Sequence, residues 1–490
     1  MNISDILPLF IVVPIVSACL ILLFGKFLKH SAGFIIFISS GLMIGLSVYA
    51  RILLSSIPGK MVVAKIVGIA PYLSINMMLD GLSGFMLVIV NTAAFFTAIY
   101  SIGYIEKYND KPKFFSLFSL MVCGLNGVII NGDIFNLFVF LEVASLASYS
   151  LVAFGIEAEE LEASFKYAIM GSVASSFILL GIAFLYSMTS TLDMSGIASG
   201  LANGHYSGLA VLFAAVLFMA GFGLKAAIMP FHAWLPDAHS SAPASISAML
   251  SGVLIKTLGV YTLSRIFFTV LNSGTGYLSV FMFLGAISIV IAGLLALSQM
   301  NFKRLLAYSS ISQIGYIILG LGLGTPLGIF GGLFHLLNHS VFKPLLFLNA
   351  GALDYSAHTK DIEEAKGCGK AMTVTNKTNL IGALSISGIP PFSGFFSKLI
   401  IIIACVQARH LGYAFCAVIG SIFTLCALMK VRKIVFLSDA KEKSSAIKDI
   451  PWSMKFSMVC LAIMCVLGGL MLLPPMRVFI QDAVNVLLKV

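Results

Sequence analysis

Long apolar runs alternate with short polar segments along the whole chain. Each run has about 20 residues, which is the length that an α-helix needs to cross a bilayer. Lipid offers no hydrogen-bond partner to an open backbone, and the runs do not resemble the alternating ten-residue strands of a membrane barrel. The pattern therefore predicts an all-α polytopic membrane protein. About fourteen spans are predicted, near residues 5–27, 32–55, 77–103, 114–131, 133–154, 164–187, 208–230, 243–270, 277–299, 303–322, 327–350, 379–404, 410–430 and 453–473.

Proline interrupts two of the predicted spans. The seventh runs into segment 229–236, which contains Pro230, and the twelfth is split by segment 388–394, which contains Pro390 and Pro391. Proline removes a helix hydrogen bond, and such a break survives at membrane depth only where the backbone is buried or lines a wet cavity. One kink commonly reflects packing alone. Two breaks about 170 residues apart suggest two related halves, as in transporters built from inverted repeats.

The composition fits a chain whose surface faces lipid. Charged residues make up 10% of it and hydrophobic residues 59%, whereas a soluble domain has about 25% charged residues. The mean hydropathy is +1.03. The net charge of +10 is distributed over the loops between apolar runs, as topology signals are, and is not clustered on one face as nucleic-acid binding would need.

The basic loops predict the orientation of the chain. If the loop that holds Lys26 and Lys29 is cytoplasmic, roughly nineteen Lys and Arg fall inside and about seven outside, as the positive-inside rule requires. The most basic loop, at residues 430–448, then also faces the cytoplasm. The first run lacks a preceding positive charge and is expected to be a retained helix. We expect a multi-pass protein of the inner (cytoplasmic) membrane with both termini outside.

The chain carries no recognisable cofactor or catalytic motif. Its eight cysteines include no C-x-x-C pair, and all but Cys368 lie within apolar runs, which disfavours disulfides and an iron–sulfur site. A Walker motif, a nucleophile elbow and a dinucleotide fingerprint are missing from the sequence. No bound cofactor and no catalytic residue are therefore predicted, and any redox chemistry is expected in a partner.

Charged residues occur within the predicted spans, where they are costly. Glu142, Lys225, Lys256, Lys343 and Lys398 each lie among apolar neighbours, and one such charge costs at least about 2.5–3.5 kcal/mol on insertion scales. They could form structural ion pairs or extend to the interface, and for Lys343, nearer the end of its span, this structural role is an equal alternative. The single carboxylate Glu142 cannot pair the three deeper lysines, Lys225, Lys256 and Lys398. Because burial disfavours charged lysine, we interpret these lysines as switchable proton carriers, with Glu142 controlling the charge of Lys225.

Two groups of histidines accompany the charged residues. His335 and His339 are four residues apart and Lys343 follows one turn later, so all three share a helix face. No metal site is predicted, because the glutamate of a zinc motif and a third ligand are missing. The two histidines either relay protons or are core residues bonded to carbonyls. A second group follows the first break and either gates proton uptake or caps helices: His232, Asp237 and His239.

Four segments together resemble the motifs of one membrane-protein family. Residues 225–252 (KAAIMPFHAWLPDAHSSAPASISAMLSG) are similar to the hallmark of the antiporter-like proton-translocating subunits. This family includes membrane-arm subunits of respiratory complex I, the D-type subunit of Mrp antiporters and membrane subunits of energy-converting hydrogenases. FLEVASLASY around Glu142, HLLNHSVFKPLLFLNAG from His335 and SGIPPFSGFFSK ending at Lys398 resemble its other motifs in the same order.

The resemblance implies a domain organisation. It implies fourteen helices in two inverted five-helix repeats with broken helices seven and twelve. The expected division is an N-terminal three-helix segment at 1–103, repeats at 114–270 and 277–433, and a C-terminal helix within 453–490. The long lateral helix of the largest family members is not expected. The motif glutamate of helix five falls on Glu142, and the helix-seven lysine on Lys225.

The resemblance also implies a proton path and partners. The connecting residue of helix eight falls on Lys256, the histidines of helix eleven on His335 and His339, and the exit lysine on Lys398, where some members carry glutamate. Protons would enter near Lys256, load the lysine–glutamate pair and pass the histidines. The expected function is proton translocation within a redox-driven pump, either complex I-like or a membrane-bound hydrogenase. The alternative is an Mrp-type Na⁺/H⁺ antiporter. Homologous antiporter-like subunits and small membrane subunits are the expected partners.

Overall fold

The chain folds as a bundle of membrane-length helices, and the prediction of an all-α polytopic protein is confirmed. The computed structural model describes residues 3–25, 27, 30–67, 75–108, 110–204, 206–271, 275–439 and 449–489. Twelve helices in this part of the chain are long and apolar enough to cross a membrane. Lys26 and Lys29, on which the predicted orientation depends, lie outside the described residues, as do three lysines of the basic loop at 430–448.

The N-terminal part leads from a helical hairpin, through a short β-hairpin, to the first broken helix. It ends in one long span, Ala244–Val270, in which α turns alternate with wider π turns at Leu250–Leu254, Lys256–Tyr261 and Arg265–Val270. The elements are α1 (Ile3–Ile6), α2 (Leu9–Phe24), α3 (Ser31–Ser55), β1 (Met61–Val67), β2 (Ile75–Asp80), α4 (Gly81–Tyr104), α5 (Lys111–Ile130), α6 (Ile134–Val152), α7 (Ala158–Thr189), α8 (Met194–Asn203), α9 (Gly208–Lys225), α10 (Trp234–Ser241), α11 (Ala244–Met249) and α12 (Thr262–Ser264).

The C-terminal part contains the second broken helix and ends in two helices that pack back onto α4. The elements are α13 (Thr275–Ser298), α14 (Phe302–Gly322), α15 (Pro326–Ala357), α16 (Thr373–Ser387), α17 (Ser393–Gln407), α18 (Leu411–Val431), α19 (Trp452–Leu467) and α20 (Pro474–Leu488). With the twelve apolar spans, the 32-residue α15 and the interrupted α16–α17 would make fourteen. That number remains a prediction.

The β-hairpin corrects the predicted start of the third span, which was placed at residue 77 inside β2. β1 and β2 pair antiparallel, and α4 begins only at Gly81. Asp80 caps this helix by accepting hydrogen bonds from the backbone of Leu82 (3.0 Å) and Ser83 (2.9 Å). Burial alone would raise the pKa of Asp80. The charge of Arg265, whose guanidinium donates to both carboxylate oxygens at 2.5 and 2.6 Å, holds that pKa below its usual value.

Both helix breaks occur at the prolines. α9 ends at Lys225 and the helix resumes at Trp234, while α16 ends at Ser387 and resumes at Ser393. The interruptions leave backbone groups that need other partners. The indole of Trp234 donates to the carbonyl of Leu224 at 3.0 Å, and the amide of Asn338 donates to the carbonyl of Ser393 at 3.1 Å. The residue that begins α10 thus supplies a partner for a carbonyl at the first break, and α15 contacts the backbone at the second.

Each half of the chain contains a similar isolated backbone bridge between two of its own segments. Asp133, which caps α6, bridges to Asp193, and Asn301, which caps α14, bridges to Asp361. The partners are 60 residues apart in each case (133 to 193, 301 to 361), and the two bridges are 168 residues apart. The same local arrangement therefore recurs at nearly the separation that the two proline breaks suggested.

Candidate functional site

Lys225 lies at the end of α9 and points into the bundle. Its side chain is 3% exposed, and its Nζ atom donates to Ser145 Oγ at 2.9 Å and to Tyr149 OH at 3.4 Å. The Oε1 atom of Glu142 is 3.6 Å from the same nitrogen, and Ser175 donates a short hydrogen bond to that oxygen. Glu142 is 29% exposed, so the structure pairs a buried ammonium with a carboxylate that reaches the surface of the chain.

Tyr167 and Trp234 pack beside Tyr149 and position its hydroxyl near Lys225. The Tyr149 and Tyr167 rings meet edge to face at 4.5 Å, and Tyr167 stacks on Trp234 at 4.2 Å. Gly171 leaves room for the hydroxyl, because a Cβ atom at this position would lie 1.8 Å from it. Sequence reasoning missed these partners. The signal was the spacing of Glu142, Ser145 and Tyr149, which puts all three on one face of α6.

Lys256 and Lys343 are fully buried and are held by backbone carbonyls. Lys256 Nζ donates to the carbonyl of Ser251 at 2.9 Å and also to that of Gly252, within its own π-containing span. Lys343 Nζ donates to the carbonyl of Leu306 at 2.7 Å. In the described part of the chain no carboxylate oxygen lies within 4.0 Å of either nitrogen. The two lysines interact electrostatically, so charge on one disfavours charge on the other.

The histidines of α15 continue this row toward Lys398. The His335 and His339 rings are 6.4 Å apart, and His335 Nδ1 is 2.9 Å from Ser397 Oγ. Lys398 Nζ lies 4.7 Å from the centroid of Tyr316. Among the described residues, both ring nitrogens of His339, Nε2 of His335 and the Lys398 ammonium have no hydrogen-bond partner. The alternative in which carbonyls hold both histidines is therefore not what the structure shows.

The three residues of the predicted uptake group lie in different surroundings, and their role in uptake stays a prediction. Asp237 lies at the surface, where it pairs with Arg304 at 2.8 Å and Lys166 at 3.2 Å. His232 is half-buried beside the first break, whereas His239 is completely buried. The structure thus brings together two clusters, one around Lys225 and one running from Lys256 to Lys398. Within the described ranges no three His, Cys, Asp or Glu side chains are placed to hold a metal ion.

Comparison with known families gives matches over most of the chain. The family model described as NADH:quinone oxidoreductase/Mrp antiporter matches residues 131–424, and that described as NADH-ubiquinone oxidoreductase (complex I), chain 5 N-terminus, matches residues 71–115. The N-type subunit of the NADH-quinone oxidoreductase of Desulforudis audaxviator is 35% identical over 76% of this chain and 74% of its own length. The D-type subunit of the Na⁺/H⁺ antiporter of Alkalihalophilus pseudofirmus is 32% identical over 76% and 75%.

A third relative and two solved structures extend the comparison. Hydrogenase-4 component B of Escherichia coli is 30% identical over 84% of this chain and 65% of its own length. A chain of the membrane-bound sulfane sulfur reductase, an archaeal respiratory membrane complex, has a TM-score of 0.90 with 28% identity, covering 98% of this chain and 97% of that one. A chain of the Mrp complex from a Dietzia species has a TM-score of 0.89 with 27% identity, covering 99% and 98%.

Proposed function

Because this chain belongs to the NADH:quinone oxidoreductase/Mrp antiporter family of membrane subunits, we propose that it carries protons through its buried lysines and histidines within a multi-subunit complex. The observation that carries the proposal is the Lys225–Glu142 pair, together with a row of buried bases that have no carboxylate partner. Structural ion pairs would account for one lysine, but they would not account for Lys256, Lys343 and Lys398. Neutral and charged lysine are both accommodated by carbonyl and hydroxyl partners.

Glu142 can control whether Lys225 is protonated. At 3.6 Å the attraction between the two charges amounts to about 4–5 kcal/mol at an effective dielectric constant of about 20. The lysine is buried and donates to Ser145 and Tyr149, whereas the carboxylate is partly exposed and accepts from Ser175. Movement of Glu142 away from Lys225 would remove that attraction and favour release of the lysine proton.

The second cluster would conduct the released charge. Repulsion between Lys256 and Lys343 opposes simultaneous charging, so a proton that arrives at one favours departure from the other. The unpartnered ring nitrogens of His339 and His335 then lead to Lys398, the proposed exit. The recurring bridges at Asp133 and Asn301 support two related halves, and we retain the inverted arrangement of the two repeats as part of the proposal.

The driving reaction is expected to come from partner subunits. Relatives include subunits named for NADH-quinone oxidoreductase, for a hydrogenase and for a Na⁺/H⁺ antiporter. A redox-driven complex is the leading proposal, and an Mrp-type antiporter with Na⁺ as the opposing ion is the second. We propose the inner membrane, with both termini outside. Purification of the tagged chain from native membranes distinguishes the two proposals. Iron–sulfur or hydrogenase-like subunits would copurify only if the chain belongs to a redox-driven complex.

Substitution of the central pair tests the mechanism. Lys225→Ala and Glu142→Ala should abolish proton uptake into membrane vesicles that contain the complex, with assembly unchanged. Vesicles are energised separately by NADH, by H₂ and by a Na⁺ gradient. Lys113→Ala, an exposed lysine that pairs with Asp110, is the matched control. Normal coupling in both variants of the pair would contradict the mechanism.

A further inference from the structure

The pathway described above leaves one buried lysine unused. Lys303, near the start of α14, is 2% exposed, and its Nζ atom donates a short hydrogen bond to the carbonyl of Ala242 at the end of α10. Ser247 donates to the same carbonyl at 3.4 Å and to the carbonyl of His239 at 2.8 Å. The Lys303 ammonium thus caps the C-terminus of α10. It also lies near both a surface cavity and the buried bases Lys343 and His239.

An open cavity of about 260 Å³ lies at the surface beside the Lys303–Ala242 hydrogen bond. Ser241 and Arg304 line it, and these residues directly neighbour Ala242 and Lys303 in the chain. The cavity therefore extends to within one residue of both ends of the Lys303–Ala242 hydrogen bond. Its lining is more acidic than basic, which favours the approach of cations. Three carboxylates line it together with Lys166 and Arg304: Glu159, Glu162 and Asp237. Two of them, Glu162 and Asp237, form ion pairs with these basic residues.

On the inner side, His239 and Lys343 both lie against the ring of Phe347. The His239 ring stacks on Phe347 at 5.0 Å, and Lys343 Nζ is 5.9 Å from the centroid of the Phe347 ring. Lys343 donates to the carbonyl of Leu306, which follows Lys303 by about 4.5 Å along the axis of α14. The charges of Lys303 and Lys343 both act on His239. A proton on His239 would therefore interact with the charges of both lysines.

Further charged groups surround Lys303 on its other sides. Lys107, which pairs with Asp354 at 2.6 Å, interacts electrostatically with it, as do Lys360 and the buried Glu160. Burial acts most strongly on the charge of Lys303, and two carboxylates and two other lysines modulate it. Within the described part of the chain, neither ring nitrogen of His239 has a hydrogen-bond partner. Neither nitrogen contributes to the packing against Phe347, so both are available to bind a proton.

We propose that protons pass from this cavity to Lys303, then to His239 and on to Lys343, so that Lys303 rather than the region around Lys256 is the uptake residue. The step rests on the function proposed above. The Lys303 ammonium gives one proton to a neutral ring nitrogen of His239, and the other ring nitrogen releases one to the neutral Lys343 amine. Lys303 is then neutral and takes up the next proton from the cavity.

Two conservative variants test the relay. His239→Phe keeps a ring to stack on Phe347 and removes no protein hydrogen bond, while Lys303→Arg keeps the charge but cannot release its proton. In vesicles that contain the complete complex, each should lower the initial rate of proton uptake by about tenfold or more. The matched controls are His410→Phe and Lys113→Arg at exposed positions, which should leave the rate unchanged.

The outcomes separate this relay from the function on which it rests. Normal uptake in His239→Phe and Lys303→Arg, with loss of uptake in Lys225→Ala, would overturn the relay alone. Normal uptake in all three variants would overturn the proposed function. If Lys303→Arg fails to assemble with its partners, His239→Phe decides the question. Partial recovery of Lys303→Ala by propylamine, a base small enough for the cavity, would further support proton transfer at this position.

Discussion

The charge of Glu142, rather than its hydrogen bond, should control the loading of Lys225. Glu142→Gln removes the charge but keeps an oxygen that can accept from Ser175. Glu142→Asp keeps the charge and moves it back by one methylene group. The Nζ–Oε1 distance of 3.6 Å corresponds to about 4–5 kcal/mol at an effective dielectric constant of about 20. At about 5 Å, the distance expected for aspartate, about 3 kcal/mol remains.

These two energies predict very different rates. About 1.4 kcal/mol corresponds to a factor of ten, so aspartate should slow proton uptake by roughly tenfold or less. Glutamine should slow it by about a hundredfold to a thousandfold, the lower figure allowing for solvent screening of the partly exposed carboxylate. The glutamine variant should then be indistinguishable from the passive leak of the vesicles.

The measurement is the initial rate of quenching of a pH-sensitive dye in vesicles with equal amounts of assembled complex. We expect the initial rate to be highest in the wild type, lower in Glu142→Asp and lowest in Glu142→Gln. Partners should copurify to a comparable extent with all three proteins. If glutamine supports uptake as well as aspartate does, the charge of Glu142 does not set the proton occupancy of Lys225. The switching mechanism would then be wrong, although Lys225 itself could still carry protons.

Two further predictions concern packing around the site. Asp80→Asn leaves the Arg265 guanidinium buried without its charge partner and should destabilise the fold by about 3–5 kcal/mol; the midpoint of thermal unfolding in detergent should fall, and adding Arg265→Gln should restore part of the loss. An unchanged midpoint in the single variant would contradict this. Gly171→Ala should displace the hydroxyl of Tyr149 and lower uptake severalfold without loss of assembly, whereas Gly45→Ala, where a Cβ meets nothing within 4 Å, should behave as wild type. Equal rates in the two variants would show that Tyr149 is not positioned in this way.

The sequence revealed the residues whose presence in a membrane is costly. A lysine within an apolar run, such as Lys225, stands out because its burial has to be compensated, and a proline such as Pro230 marks where a helix must end. Both kinds of signal are local to the chain. The helical architecture and the two breaks could therefore be predicted without knowledge of any tertiary contact.

Tertiary partners could not be predicted in the same way. Ser175 and Gly171 belong to α7, far along the chain from Glu142 and Tyr149, and nothing in the local pattern of α7 marks them. Lys303 is the first residue of a predicted apolar run, where a lysine usually reaches water, and its burial depends on tertiary contacts such as the hydrogen bond to the end of α10. The β-hairpin was missed because its strands lack a sustained alternation of apolar and polar residues.

The acceptors of Lys256 and Lys343 are main-chain carbonyls, and a main-chain carbonyl cannot be removed by replacing the side chain of its residue. Ser251 and Leu306 can each be substituted while the oxygen that binds the lysine stays in place. Alanine scanning will therefore detect the lysines but not the groups that hold them. An amide-to-ester exchange in the backbone after one of these residues, which weakens its carbonyl as an acceptor, is the chemical change that would expose their contribution.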